Sequence, residues 1–143
     1  MNRSARLIYS LPPRVPTTRY LIELHWLPIK ARIEFKICLV AFKALRFGEP
    51  KYLSDLLVCQ SAGLGVDLRS SDDPFRLVEP RAISECCFAE RSFAYVVPRL
   101  LNRLPVSLKE VDSLQAFKSR LKTFLFARAY DVQDHSLNEE YRI

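Results

Sequence analysis

The chain has 143 residues, of which 49% are apolar, and this is enough for one domain with its own core, without disulfides or a structural metal. Only three glycines are present, which argues against an all-β sandwich, a P-loop and a dinucleotide-binding fold, because tight hairpins and phosphate-binding loops depend on glycine. The net charge of +6 comes from residues 1–69, which hold eleven Lys and Arg against five Asp and Glu. It makes nucleic acid the first partner to consider and an anionic membrane surface the second.

The first part of the chain is expected to be a helix end and a connector. Ala5, Leu7 and Ile8 fit the last turns of a helix, and three prolines then interrupt the chain within residues 1–16. Thr17 or Thr18 is a suitable N-cap for a short helix through Leu24. We therefore predict a boundary after residue 16, a helical module over residues 17–130 and an acidic, disordered tail over residues 131–143.

Residues 29–46 show the apolar periodicity of a long helix. At 100° per residue, two apolar stripes and a narrow third stripe separate around its axis. One apolar stripe holds Ile33, Ile37, Val40 and Ala44, and the other holds Ala31, Phe35, Cys38, Phe42 and Leu45. A helix that is apolar on two sides is expected to lie at the centre of the fold.

The third stripe of this helix predicts a contact with nucleic acid. It is almost wholly cationic and is expected to be the exposed edge, where Lys and Arg side chains can meet phosphates while the other faces keep their core contacts. The predicted phosphate contacts are Arg32, Lys36, Lys43 and Arg46. The alternative is a solvated cationic strip that has no partner.

The middle of the chain predicts a turn, a loop and a short β-hairpin. Gly48 is placed to end the central helix, and Pro50 to begin another helix through Leu57. Residues 59–74 are polar and rich in turn formers, as in a mobile surface loop. Two extended runs, 75–78 and 83–88, predict a hairpin over about residues 75–88.

Two further helices are expected in the second half. Apolar residues recur at helical spacing over residues 92–103, where Pro98 should kink the helix or mark a restart. Asp112 and Gln115 resemble a capping box at the start of a last helix over residues 112–128, which should pack across the central helix. The fold class expected is therefore a small, mostly α bundle.

Sites for catalysis and metal binding are not recognisable. The four cysteines lack a Cys-x-x-Cys spacing, and only His25 and His135 could complete a metal set. Asp72 and Asp73 follow two serines and no apolar strand, so they do not form the carboxylate turn of a two-metal polymerase. No nucleophile elbow lies near either histidine. We expect no enzyme activity, no cofactor and no metal.

Two further expectations concern Trp26 and the location of the protein. Trp26 could stack on a base, although its apolar neighbours and Pro28 favour a packing role. Neither a targeting signal nor an apolar run of membrane-spanning length is recognisable. We therefore expect an intracellular protein, nuclear or cytoplasmic, that does not enter a membrane.

Several blocks of the chain resemble the second open reading frame of LINE-type (non-LTR) retrotransposons, in particular the jockey and chicken-repeat groups. The most characteristic block is Leu24-His25-Trp26-Leu27-Pro28-Ile29-Lys30-Ala31-Arg32-Ile33-Glu34-Phe35-Lys36. Later blocks follow in the order of that family: residues 43–45, 50–57, 68–70, 91–93, 98–100, 102–105, 117–118 and 121–126. With Asn2-Arg3-Ser4-Ala5-Arg6-Leu7, the resemblance covers residues 2 to about 130.

The resemblance implies a position after the fingers and palm of a reverse transcriptase. The polymerase and endonuclease motifs of the family have no counterpart in this sequence, so no catalytic residue can be carried over. Two positions depart from the pattern: Leu101 stands where an aromatic residue is common, and no glycine lies near Glu90. What the resemblance implies is a non-catalytic C-terminal fragment that contacts template RNA, the primer–template duplex or target DNA. The alternatives are a docking module for the absent polymerase domain and a decayed remnant without activity.

Overall fold

The chain is mostly α-helical, as predicted. A computed structural model describes residues 2–59, 73, 75–80 and 91–130. Two compact units share the chain, one made of residues 1–35 and 119–143 and the other of residues 36–118. The helices are α1 (Asn2–Ile8), α2 (Thr18–Glu23), α3 (Ile29–Phe47), α4 (Lys51–Ser54), α5 (Phe93–Asn102), α6 (Val106–Lys109) and α7 (Leu114–Tyr130).

Helix α3 follows its predicted bounds, but only one of its two apolar stripes is thoroughly covered. Cys38 and Phe42 of the second stripe are 2% and 5% exposed, whereas Ile33 of the first stripe is 55% exposed. Ile37 and Val40 are half-buried. The expectation that both apolar sides of α3 are buried is therefore wrong for the first turns of the helix.

The predicted hairpin over residues 75–88 is not found in the described residues. Leu77 instead forms an isolated antiparallel bridge with Cys59, and the backbone N–H of Val78 donates to the carbonyl of Val58 at 2.9 Å. The partner of the 75–78 run thus comes from the other side of the predicted loop. The second predicted run, most of that loop and the acidic tail lie outside the described residues.

Three features of the helices bear on the predictions. Thr17 is the N-cap residue of α2, but its side chain makes no capping hydrogen bond. Helix α5 continues through Pro98 without a restart. The last helix begins at Leu114, so Asp112 lies ahead of it and does not cap it; the carbonyl of Ser113 accepts its first hydrogen bond, from the Phe117 N–H.

The unit of residues 1–35 and 119–143 is held together largely by aromatic contacts. The rings of Tyr9 and Tyr20 lie 4.8 Å apart, and the ring of His25 stacks on Phe126 at 5.8 Å. The hydroxyl of Tyr130 donates to the carbonyl of Trp26 at 2.6 Å. The Tyr9–Tyr20 contact joins the end of α1 to α2, and the other two contacts join the C-terminal part of α7 to the segment between α2 and α3.

Both short helices of this unit end in the same type of turn. After α1 and after α2, a residue with positive φ stands where glycine is the usual choice: Ser10 and His25, each with φ of 50°. Each turn is closed by a hydrogen bond that spans five residues, as in a Schellman motif. The two bonds are Leu11 N–H to Arg6 carbonyl and Trp26 N–H to Leu21 carbonyl, both 2.9 Å.

The unit of residues 36–118 has a core centred on two stacked phenylalanines. The rings of Phe42 in α3 and Phe117 in α7 lie 4.1 Å apart and are inclined by only 12°. Phe117 and Val97 are completely buried, and Leu101 is 5% exposed. The prediction that the last helix packs on the central helix is confirmed at this contact.

Candidate nucleic-acid interface

The four predicted phosphate contacts are all exposed residues of α3, and three of them form no ion pair with a described residue. These three are Arg32, Lys36 and Lys43, and their spacing places them within about 40° of one another around the helix and about 17 Å apart from first to last. Their charges are therefore available to an anionic partner.

Arg46, the fourth predicted contact, is engaged inside its own unit. Its Nη2 donates to the carbonyl of Lys109 at 3.3 Å and lies 3.4 Å from a carboxylate oxygen of Asp112. Its guanidinium carbon stands 5.1 Å from the centre of the Phe75 ring, and the side chain is 29% exposed. Arg46 thus joins α3 to three other segments, which its position in the cationic stripe does not reveal.

The sequence predicted that the exposed edge of α3 would be almost wholly cationic. This prediction is wrong, because large apolar side chains are also exposed there. Ile29, Ile33 and Phe47 are 64%, 55% and 55% exposed and lie among the basic residues along the helix. The acidic residue of the same helix, Glu34, is paired with Arg128. The edge is a mixture of cations and large apolar side chains.

Trp26 and His25 are held by contacts within the protein. Trp26 is half-buried, and its carbonyl is the acceptor for Tyr130. The imidazole of His25 is stacked on Phe126, which supports the structural interpretation of this histidine. Stacking of Trp26 on a base stays a prediction.

A buried ion pair between Lys109 and Asp73 was not predicted from the sequence. The ammonium group of Lys109 in α6 bonds to the carboxylate of Asp73, and the two side chains are 5% and 18% exposed. The other carboxylate oxygen of Asp73 accepts from the Phe75 N–H at 3.0 Å. Asp73 therefore links α6 to the start of the 75–80 segment.

Asn102 holds the 75–80 segment against the end of α5. Its amide group donates to the carbonyl of Leu77 and accepts from the Leu77 N–H, both at 3.0 Å, and also donates to the carboxylate of Glu79 at 3.1 Å. The Asn102 side chain thus satisfies both backbone hydrogen-bonding groups of Leu77.

The described residues hold neither a metal-ligand cluster nor a membrane-spanning helix. No cluster of three or more His, Cys, Asp or Glu side chains occurs in that part of the chain. The helices described there are all too short or too polar to cross a membrane.

Burial raises the pKa of the Cys59 thiol, so this cysteine is less prone to ionise than an exposed one.

Comparison with known proteins assigns no family to the chain: no protein-family model, no curated protein and no solved structure matches it.

Proposed function

We propose that this chain is the non-catalytic C-terminal fragment of a LINE-type retrotransposon RNA-directed DNA polymerase, and that it binds nucleic acid through the basic edge of α3. The family part of the proposal depends on the sequence blocks that resemble such polyproteins. The binding part depends on one observation, the three exposed cations Arg32, Lys36 and Lys43 on a single face of a helix.

The arrangement suits sequence-independent contact with phosphates. Side chains that project from one helix face over about 17 Å can follow one strand of template RNA or of a primer–template duplex. Arg46 is a weaker candidate than the other three, because its guanidinium is already bonded to Lys109 and paired with Asp112. Half-buried Trp26 would contribute stacking only if its ring became more exposed.

The test is binding of the purified chain to a labelled RNA–DNA hybrid across a salt series. Three phosphate contacts should contribute about 2 to 3 to the slope of log affinity against log salt concentration. Substitution of Arg32, Lys36 and Lys43 by Gln should remove that contribution. In the matched control, the exposed residues Arg14, Arg19 and Lys51 are replaced by Gln. This variant loses the same net charge as the α3 variant and should retain most of the slope.

An unchanged slope in the α3 variant, or equal losses in both variants, would contradict a dedicated interface on α3. Equal losses would mean that only the net charge of the chain matters. Failure of the unaltered chain to bind would reject the binding function altogether.

A second candidate function, docking onto the absent polymerase domain, is favoured by the exposed apolar side chains. Leu7 of α1 is 82% exposed and Ile29 of α3 is 64% exposed, and exposed large apolar side chains are typical of an interaction surface. In this case the isolated chain should self-associate, and substitution of Leu7, Ile29 and Ile33 by Ser should reduce self-association in sedimentation experiments without changing nucleic-acid affinity.

A further inference from the structure

The unit of residues 36–118 contains a cavity of about 300 Å³. Its apolar walls come from Phe42, Leu45, Phe75, Leu101 and Phe117. The volume lies at the lower end of the range of small-molecule sites, about 300 to 1,000 Å³. The cavity is thus large enough for a small organic molecule, and its apolar lining favours an apolar molecule over a polar one.

Two cationic side chains, Arg46 and Lys109, also line this cavity. The charge of Lys109 is balanced by Asp73 in a buried pair. The only carboxylate paired with Arg46 among the described residues belongs to Asp112, which is 93% exposed and 3.4 Å away, so solvent weakens that attraction. The cavity wall therefore carries one positive charge without a buried counter-charge.

The guanidinium of Arg46 is also held in a defined orientation. Its face lies over the Phe75 ring at 5.1 Å, and its Nη2 is directed to the Lys109 carbonyl. Cys59, the remaining polar group of the lining, has a pKa raised by burial and supplies no negative charge that would compete. A partly open, mostly apolar cavity with one oriented guanidinium at its wall is complementary to an apolar molecule that ends in a carboxylate.

We propose that this cavity binds a small amphiphilic monocarboxylate, with its apolar body against the wall formed by Phe42, Leu101 and Phe117 and its carboxylate on Arg46 in place of Asp112. The proposal does not depend on nucleic-acid binding by α3. It assigns to Arg46 a role separate from that of Lys43, which precedes it on the same helix and does not line the cavity.

The test compares decanoate with decanamide, a neutral molecule of similar size, by calorimetry below the micellar concentration of decanoate. Decanoate should bind about tenfold more tightly than decanamide, the size of one charge-assisted hydrogen bond. Arg46→Gln should weaken decanoate binding about tenfold and leave decanamide binding unchanged. Lys43→Gln is the matched control and should leave both affinities unchanged.

Leu45 is a half-buried residue in the cavity wall. The larger side chain of Leu45→Trp would fill the cavity and should abolish binding of both molecules. Equal affinities for the acid and the amide, an unaffected Arg46→Gln variant, or no binding at all would overturn the proposal. Retained binding in a folded Leu45→Trp variant would place the molecule elsewhere and would also overturn it. If Leu45→Trp loses its helical circular dichroism, the ratio of decanoate to decanamide affinity on the unaltered chain decides.

Discussion

The buried pair of Lys109 and Asp73 leads to an asymmetric prediction. Asp73→Asn keeps the shape of the side chain but leaves the ammonium group of Lys109, only 5% exposed, without a counter-charge. Removing one partner of a buried ion pair costs about 3 to 5 kcal/mol. Because the amide still offers an oxygen to Lys109, we expect a loss near the lower end, about 3 kcal/mol.

The reverse change, Lys109→Met, should cost less. The carboxylate of Asp73 is 18% exposed and keeps its bond from the Phe75 N–H, so it is partly solvated when alone. We expect a loss of about 1 to 2 kcal/mol, the cost of one incompletely satisfied polar group. The double variant, with both charges removed, should lie within about 1 kcal/mol of the unaltered chain, since a buried pair gains little over neutral residues of similar volume.

The assay is urea denaturation of all four proteins, followed by far-UV circular dichroism. Unfolding free energies from the four curves give a double-mutant cycle for the pair. A loss below about 1 kcal/mol for Asp73→Asn would refute the reasoning, because it would mean that Lys109 is solvated in the folded state. Equal losses for both single variants, with an additive double variant, would refute it equally.

Two further predictions concern single positions. Gly48 ends α3 with φ of 66°, and a Cβ there would meet no atom within 4 Å. Gly48→Ala should therefore lower the free energy of unfolding only by the backbone strain, about 1 to 2 kcal/mol, and Gly48→Asn should lower it less. Urea denaturation measures both losses, and a loss well above this range would contradict the absence of a steric contact. Burial raises the pKa of Tyr130, so the stabilisation from its neutral hydroxyl is complete below the unfolded pKa of about 10 and is lost as pH rises through the folded pKa. Tyr130→Phe should remove about 1 kcal/mol near neutral pH and make stability less dependent on pH above 10, and a variant with the unaltered pH dependence would contradict this.

Local patterns predicted the long helices well. The observed α3 is only one residue longer than predicted. The agreement is close because the two signals, apolar periodicity and the helix-ending Gly48, are local features of the sequence. The exposure of Ile33 was not predicted, since a periodic pattern shows which residues share a face but not which face is covered. The helix α5 also continues through Pro98, where sequence rules indicate only a disturbance.

Contacts between distant residues account for the main errors. Arg46 bonds to a carbonyl 63 residues away, and no spacing in the sequence indicates that this arginine differs from Lys43. The predicted hairpin is not found in the described residues, where Leu77 pairs with Cys59 and with the side chain of Asn102; neither partner is adjacent to it in sequence. The exposed cations of the candidate site were predictable, whereas the buried Lys109–Asp73 pair was not.

The left-handed residues Ser10 and His25 have a consequence for the order of folding. Each occupies a conformation that costs a residue other than glycine about 1 to 2 kcal/mol, and the helices they terminate have only seven and six residues. Segments of this length do not hold a helix alone in water. We therefore expect α1 and α2 to form late, after the 19 residues of α3 and the 17 residues of α7 have supplied a surface on which they can assemble.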